Sequence, residues 1–87
     1  MKYTVIVSEK AAKMLRKLPR DEIKRISQKI DKLAEQPRPV GAEKLSGEEN
    51  IYRIRSGVYR IIYNIEDKTV HVFVLNIDHR KQVYRGL

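Results

Sequence analysis

The apolar positions change period once along the chain, dividing it into a helical half and a strand half. Residues 3–7, Tyr3-Thr4-Val5-Ile6-Val7, are rich in β-branched side chains and predict a strand. Ser8 then offers its hydroxyl as a helix N-cap. Ala11, Met14 (or Leu15) and Leu18 follow at helical spacing until Pro19 breaks the helix. Asp21 can cap a second helix, in which Ile23, Ile26, Ile30, Leu33 and Ala34 recur at intervals of three and four before Pro37 and Pro39 end it. Residues 37–50 read as a loop punctuated by Gly41 and Gly47. Beyond it the period drops to two, and strands are predicted over residues 51–55, 58–65 and 69–77. They are separated by Ser56-Gly57 and by Glu66-Asp67-Lys68. Residues 78–87 form a short, polar, basic tail, and the chain has neither an internal repeat nor a low-complexity segment. The order β-α-α-β-β-β predicts an α+β fold, an antiparallel sheet packed on a helical hairpin, with residues 1–87 as a single domain.

The first hairpin carries the candidate chemistry. A two-residue loop at Ser56-Gly57 sets Arg55 opposite Val58 and Arg53 opposite Arg60. Alternation then gathers Arg53, Arg55 and Arg60 on one face, while Tyr52, Ile54, Tyr59, Ile61 and Tyr63 share the other, the core face. Like charges directly opposed destabilise a sheet, and neither strand carries an acid on that face. Either the arginines splay into water, which costs little at an exposed edge, or an anion sits between them, and planar, permanently charged guanidinium groups suit a phosphate. Carried across the second hairpin, the register adds Ile62, Phe73 and Leu75 to the arginine face. Such a mixed apolar and cationic surface is a contact site for bases or a partner chain, or the seat of the carboxyl tail. His71 alternates onto the same face and reads as structural.

Charge sharpens this picture. Lys and Arg number 19 against 11 Asp and Glu, a net charge of +8 that a polyanionic partner relieves. Nucleic acid is the first such partner and an acidic protein the next. The outer face of the second helix adds Lys24, Arg25, Lys29 and Lys32, as a solvated face or as further contacts. Cysteine is absent, which excludes a thiol nucleophile, and with only His71 and His79 no metal-ligand motif is evident and no cofactor is expected. A chain without cysteine suits a reducing cytosol. Lys10, Lys13, Arg16 and Lys17 interrupt any signal-peptide pattern, and no run approaches the roughly 20 apolar residues that span a bilayer. A cytoplasmic protein without a membrane partner is expected.

Three stretches together resemble the RelE/ParE superfamily of type II toxins: Lys44-Leu45-x-Gly47, then Tyr52-Arg53-Ile54-Arg55-x-Gly57-x-Tyr59-Arg60-Ile61-Ile62-Tyr63, then His79-Arg80-x-x-x-Tyr84. The tail motif leans toward the RelE branch, whose members cut messenger RNA in the ribosomal decoding site. The resemblance implies a metal-independent ribonuclease in which the ribose 2′-hydroxyl attacks the adjacent phosphate, leaving a cyclic phosphate and a 5′-hydroxyl. It assigns Arg53, Arg55 and Arg60 to the phosphate, and Arg80 and Tyr84 to proton transfer. His79, with an ordinary pKa of about 6.5, is a further acid–base candidate. Lys44 and Lys81, with the helix bases Lys24, Arg25, Lys29 and Lys32, are candidates for holding RNA. Glu48 and Glu49 precede the hairpin, either as solvated loop carboxylates or as a source of the base, as a glutamate is in some relatives. The implied partners are an acidic, RelB-like antitoxin, messenger RNA and ribosomal RNA. A ParE-like toxin directed at DNA gyrase and a non-catalytic nucleic-acid-binding module are the alternative readings.

Overall fold

Ser8 shows how the first two elements are joined. Its Oγ accepts from the Ala11 N–H at 3.0 Å, capping the helix, and donates to the Leu75 carbonyl at 2.9 Å, tying that cap to the sheet. A computed structural model of the chain describes residues 2–45, 47 and 49–79. Its elements are β1 (Thr4–Val7), α1 (Glu9–Arg16), α2 (Arg20–Lys32), β2 (Glu43–Lys44), β3 (Ile51–Ser56), β4 (Tyr59–Glu66) and β5 (His71–His79). The second helix begins one residue after Pro19, which stands at its N-cap without a side-chain bond. Asp21 therefore lies in the first turn, where a carboxylate favours the positive end of the helix dipole, and not at the cap.

The strands form one five-stranded sheet in the order β1-β5-β4-β3-β2. Its β2–β3, β3–β4 and β4–β5 pairings are antiparallel, whereas β1 runs parallel to β5 at the edge. That parallel edge and the two-residue β2 are additions to the predicted β-α-α-β-β-β order. Ile26, Ile30 and Leu33 from the α2 side and Ala11 from α1 close over Ile54, Ile61, Tyr63, Ile65, Val72, Val74 and Ile77. Tyr52 and Tyr59 pack against this core, so the predicted core face of the hairpin is the helix-covered one.

The hairpin register differs from the sequence expectation. The turn is Gly57-Val58, so Ser56 meets Tyr59, Arg55 meets Arg60 and Arg53 meets Ile62. Gly57 supplies the reason: its φ of 61° suits the first central position of a type II′ turn, where glycine is favoured. The slip is an even number of residues, so every side chain keeps its predicted face. The second turn also moves. Thr69 and Val70 lie in the turn, Val70 at a left-handed φ of 59°, and β5 begins at His71. A bulge sets Ile62 opposite Asn76 but Tyr63 opposite Val74, inserting Leu75 and letting Val74 and Ile77 both reach the core.

The end of the sheet remote from Gly57 is held by a polar latch. Arg38 donates to both carboxylate oxygens of Asp67, at 3.3 and 2.9 Å, and through Nε to the Tyr52 hydroxyl at 3.0 Å. Its guanidinium carbon lies 5.2 Å from the centre of the Tyr52 ring, within cation–π range. Tyr3 donates to Asp67 at 2.7 Å, and buried Tyr63 stacks on Tyr52 and donates to the Pro37 carbonyl at 2.7 Å. The Arg38 hydrogen bond, with help from Tyr3, holds the Asp67 carboxyl below its usual range. The bond to Asp67 raises the Tyr3 hydroxyl, and burial pushes Tyr63 up to about 12.

Two outcomes follow from the latch. Tyr63→Phe leaves the Pro37 carbonyl buried without its donor, costing about 1–3 kcal/mol. For a domain of this size that lowers Tm by roughly 4–8 °C per kcal/mol, readable by thermal melting. A depressed Asp67 stabilises the fold fully above its unfolded pKa of about 4, and that contribution is lost as pH falls through the folded value. Raised tyrosines contribute fully below about 10 and lose their contribution as pH rises through their folded values. Melting temperature against pH should therefore fall off at both ends, and Asp67→Asn should lower the plateau and flatten the acid limb.

Candidate active site on the arginine face

Arg53, Arg55 and Arg60 lie on the sheet face turned away from the helices. The pair next to the one closing a two-residue turn is of the non-hydrogen-bonded kind, with Cα atoms about 4.5 Å apart and side chains at their closest. Arg55 and Arg60 occupy that pair. Arg55 is exposed, whereas Arg60 is 8% exposed. Among the described residues neither makes an ion pair, and Nε of Arg53 and of Arg60 are buried without a hydrogen-bond partner.

Two carboxylates flank this set, both missed by the sequence reading. Glu43 on β2 stands opposite Arg53, and its Oε2 meets Nη2 at 2.9 Å. Asp78 stands opposite Arg60, but its Oδ1 accepts from the Asn76 amide at 2.7 Å. The expectation of an arginine face without acids holds within β3 and fails at the neighbouring strands; β4 also runs one residue past its predicted end and closes with Glu66 on that face, six residues from Arg60. Glu43 escaped notice because a two-residue strand leaves no alternation to read. Asp78 escaped because the strand was expected to end at residue 77, whereas β5 continues to His79.

The other predicted residues are dispersed. Lys29 reaches up from α2 and donates to the Arg55 carbonyl at 2.8 Å, which points away from β4 beyond the end of β2. Arg25 pairs with Glu22 at 3.0 Å, and Lys24 and Lys32 are exposed on the same helix, on the far side of the sheet. Lys44 stands opposite Tyr52, so it projects away from the arginine face. His79 stands opposite Tyr59, with their rings edge-to-face at 5.2 Å and 89°, again on the side away from the arginines. Glu49 is exposed in the turn before β3. Arg80, Lys81, Tyr84 and Glu48 lie outside the described residues.

Three guanidinium groups against two carboxylates leave a cationic site, in which the Nε donors of Arg53 and Arg60 are buried and, among the described residues, unpartnered. In a poorly solvated position such donors act more strongly on a charged ligand than they do in water. The Glu43 carboxylate beside Arg53 is placed to accept a proton at the rim of the same site. Among the described residues no cluster of His, Asp and Glu could hold a metal ion, and no helix is long and apolar enough to cross a membrane.

Comparison with known proteins fits this architecture. Residues 5–84 match the family model of the ParE toxin of the parDE type II toxin–antitoxin system. The chain is 34% identical over 84 residues to the mRNA interferase toxin RelE of Escherichia coli K12, covering 94% of this chain and 87% of the relative. It is 31% identical over 86 residues to toxin RelG of Mycobacterium tuberculosis H37Rv, covering 98% and 99%. Its fold superposes on the archaeal RelE–RelB complex from Pyrococcus horikoshii OT3 with a TM-score of 0.83 at 30% identity, covering 92% of this chain and 97% of that one. The hairpin motif, the element order and these matches agree: the chain belongs to the RelE/ParE superfamily of type II toxins, on its RelE-like side.

Proposed function

We propose that this chain is the toxin of a type II toxin–antitoxin pair, a single cytoplasmic domain over residues 1–87 that cleaves messenger RNA in the ribosomal decoding site. The observation that carries the reading is the Arg55–Arg60 pair, two opposed cations of which Arg60 holds a buried, unpartnered guanidinium N–H, with no acid among the described residues bonded to either. Such a pair is unfavourable in an empty sheet and favourable around a phosphate. The similarity to an mRNA interferase supports the reaction class.

In this reading the 2′-hydroxyl attacks the adjacent phosphorus and the bond to the 5′-oxygen breaks, giving a cyclic phosphate and a 5′-hydroxyl. Negative charge grows on the non-bridging oxygens as the phosphorane forms. Arg53, Arg55 and Arg60 stabilise it, Arg60 most strongly because it is the most buried. One group must take the 2′-hydroxyl proton and another must protonate the leaving oxygen. Arg80 and Tyr84 are the family's candidates, and Glu43 joins them as a base beside Arg53. Exposed Lys24 and Lys32 on the opposite side of the sheet, with Lys44 and Lys81, serve ribosomal RNA, while Lys29 holds the hairpin. An acidic, RelB-like antitoxin covers the basic sheet face in this reading, chosen for charge complementarity; that such a partner exists is supported by the RelE–RelB complex of the Pyrococcus relative.

Single-turnover cleavage on programmed ribosomes, with binding and melting measured separately, tests the reading. Arg60→Met keeps the buried stem and removes the charge, so stability should hold or rise while cleavage falls by about 10²-fold or more. A variant that loses melting temperature and activity together would make the arginine structural. Tyr84→Phe should cost about 10²-fold in cleavage with binding retained, whereas His79→Ala, on the Tyr59 side of the sheet, should be mild. Growth arrest by wild type without any messenger cleavage would instead favour the gyrase-directed reading.

A further inference from the structure

The arginines occupy only one end of their face. Along β4 the same face runs Arg60, Ile62, Asn64, and Asn64 stands directly across from Phe73 on β5. Cross-strand neighbours of this kind hold their Cβ atoms about 5 Å apart. Phe73 is braced from behind by His71, whose ring stacks on it at 5.6 Å and 11°. Exposed Ile6 on β1 lies beside Phe73, and exposed Leu75 follows it at the bulge.

Asn64 is the unexpected residue. Asparagine is disfavoured within strands, yet this one sits in the middle of the sheet, and among the described residues its amide has no hydrogen-bond partner. The neighbouring Asn76 amide, by contrast, is engaged with Asp78 at 2.7 Å. A half-buried ring beside an unengaged amide offers a flat π face and a donor–acceptor edge at once. That combination is how proteins hold an unstacked nucleobase.

We propose that Phe73 and Asn64 form a nucleobase subsite that binds a base of single-stranded RNA, Phe73 stacking on its face and Asn64 pairing with its edge. This rests on the reading of the arginine face as an RNA site. Asn64 is four residues from Arg60 along β4, about 13 Å at strand rise, so a short extended run of nucleotides links this base to the phosphate held by the arginines. Charge favours RNA as the occupant, since the patch continues into the arginines of a chain of net charge +8. Its apolar positions are also interrupted by amides, where a protein partner's apolar strip would need continuity.

The test is binding of the full chain to a short single-stranded 2′-O-methyl RNA, which cannot be cleaved by 2′-hydroxyl attack, and to the same strand with abasic sites. Wild type should bind the intact strand about ten-fold or more tightly than the abasic one. Phe73→Leu, which keeps the apolar bulk, should erase most of that difference, and Asn64→Ala should change which bases are preferred, both with unchanged melting temperature. Arg60→Met should weaken both strands alike. The proposal is overturned if wild type does not distinguish the strands, or if Phe73→Leu binds RNA normally and fails only toward an acidic antitoxin peptide. Should wild type distinguish the strands yet cleave no messenger, the subsite stands and the nuclease reading falls.

Discussion

Gly57 adopts a φ of 61° at the first position of a two-residue turn, and that torsion sets the register of β3 on β4. Ile54 then meets Ile61 under the helices while Arg55 meets Arg60 on the other face. A slip of one residue would turn the arginines toward the core and the isoleucines toward water, so the turn fixes core and site together. The helix layer reinforces it from below, with Lys29 on the Arg55 carbonyl at 2.8 Å. Position 29 thus joins the packed side of the molecule to the charged side.

The sheet divides its polar groups by role. At the remote end Arg38, Asp67, Tyr3, Tyr52 and Tyr63, with the Pro37 carbonyl, tie the residue before β1, the loop after α2, β3, β4 and the turn after β4 together. At the turn end the arginines are left with buried N–H groups that nothing described in the chain satisfies. A buried unsatisfied donor costs free energy, and a fold this small tolerates it only where other contacts compensate. The contrast between a completed network and an incomplete one marks the turn end as the working end.

The period of the apolar residues made most of the fold legible, because both helices and all three long strands bury one face. Ser8 was readable as a cap because its hydroxyl precedes a helical period, and the face of each arginine was readable because alternation survives an even slip in register. What was not legible depended on contacts distant in sequence. β2 has two residues and no period of its own, so Glu43 emerges only through its pairing with Arg53. Val70, β-branched and apparently suited to a strand, is held in a left-handed turn beside Asp67, whose partners Arg38 and Tyr3 come from elsewhere in the chain. The helix bases were candidate RNA contacts or a solvated face, with no position relative to the arginines legible in the sequence; the sheet lies between the two, which only the layering of the fold shows.

The central claim is that the arginine face holds a phosphate while the neighbouring 2′-hydroxyl attacks it. The most direct measurement is single-turnover cleavage of a ribosome-bound messenger in which one ribose at the mapped cut site carries hydrogen in place of its 2′-hydroxyl. Cleavage at that position should disappear while the affinity of the toxin for the programmed ribosome is unchanged, and the unmodified messenger should yield a cyclic phosphate and a 5′-hydroxyl. Undiminished cleavage of the deoxy-substituted messenger would contradict the account.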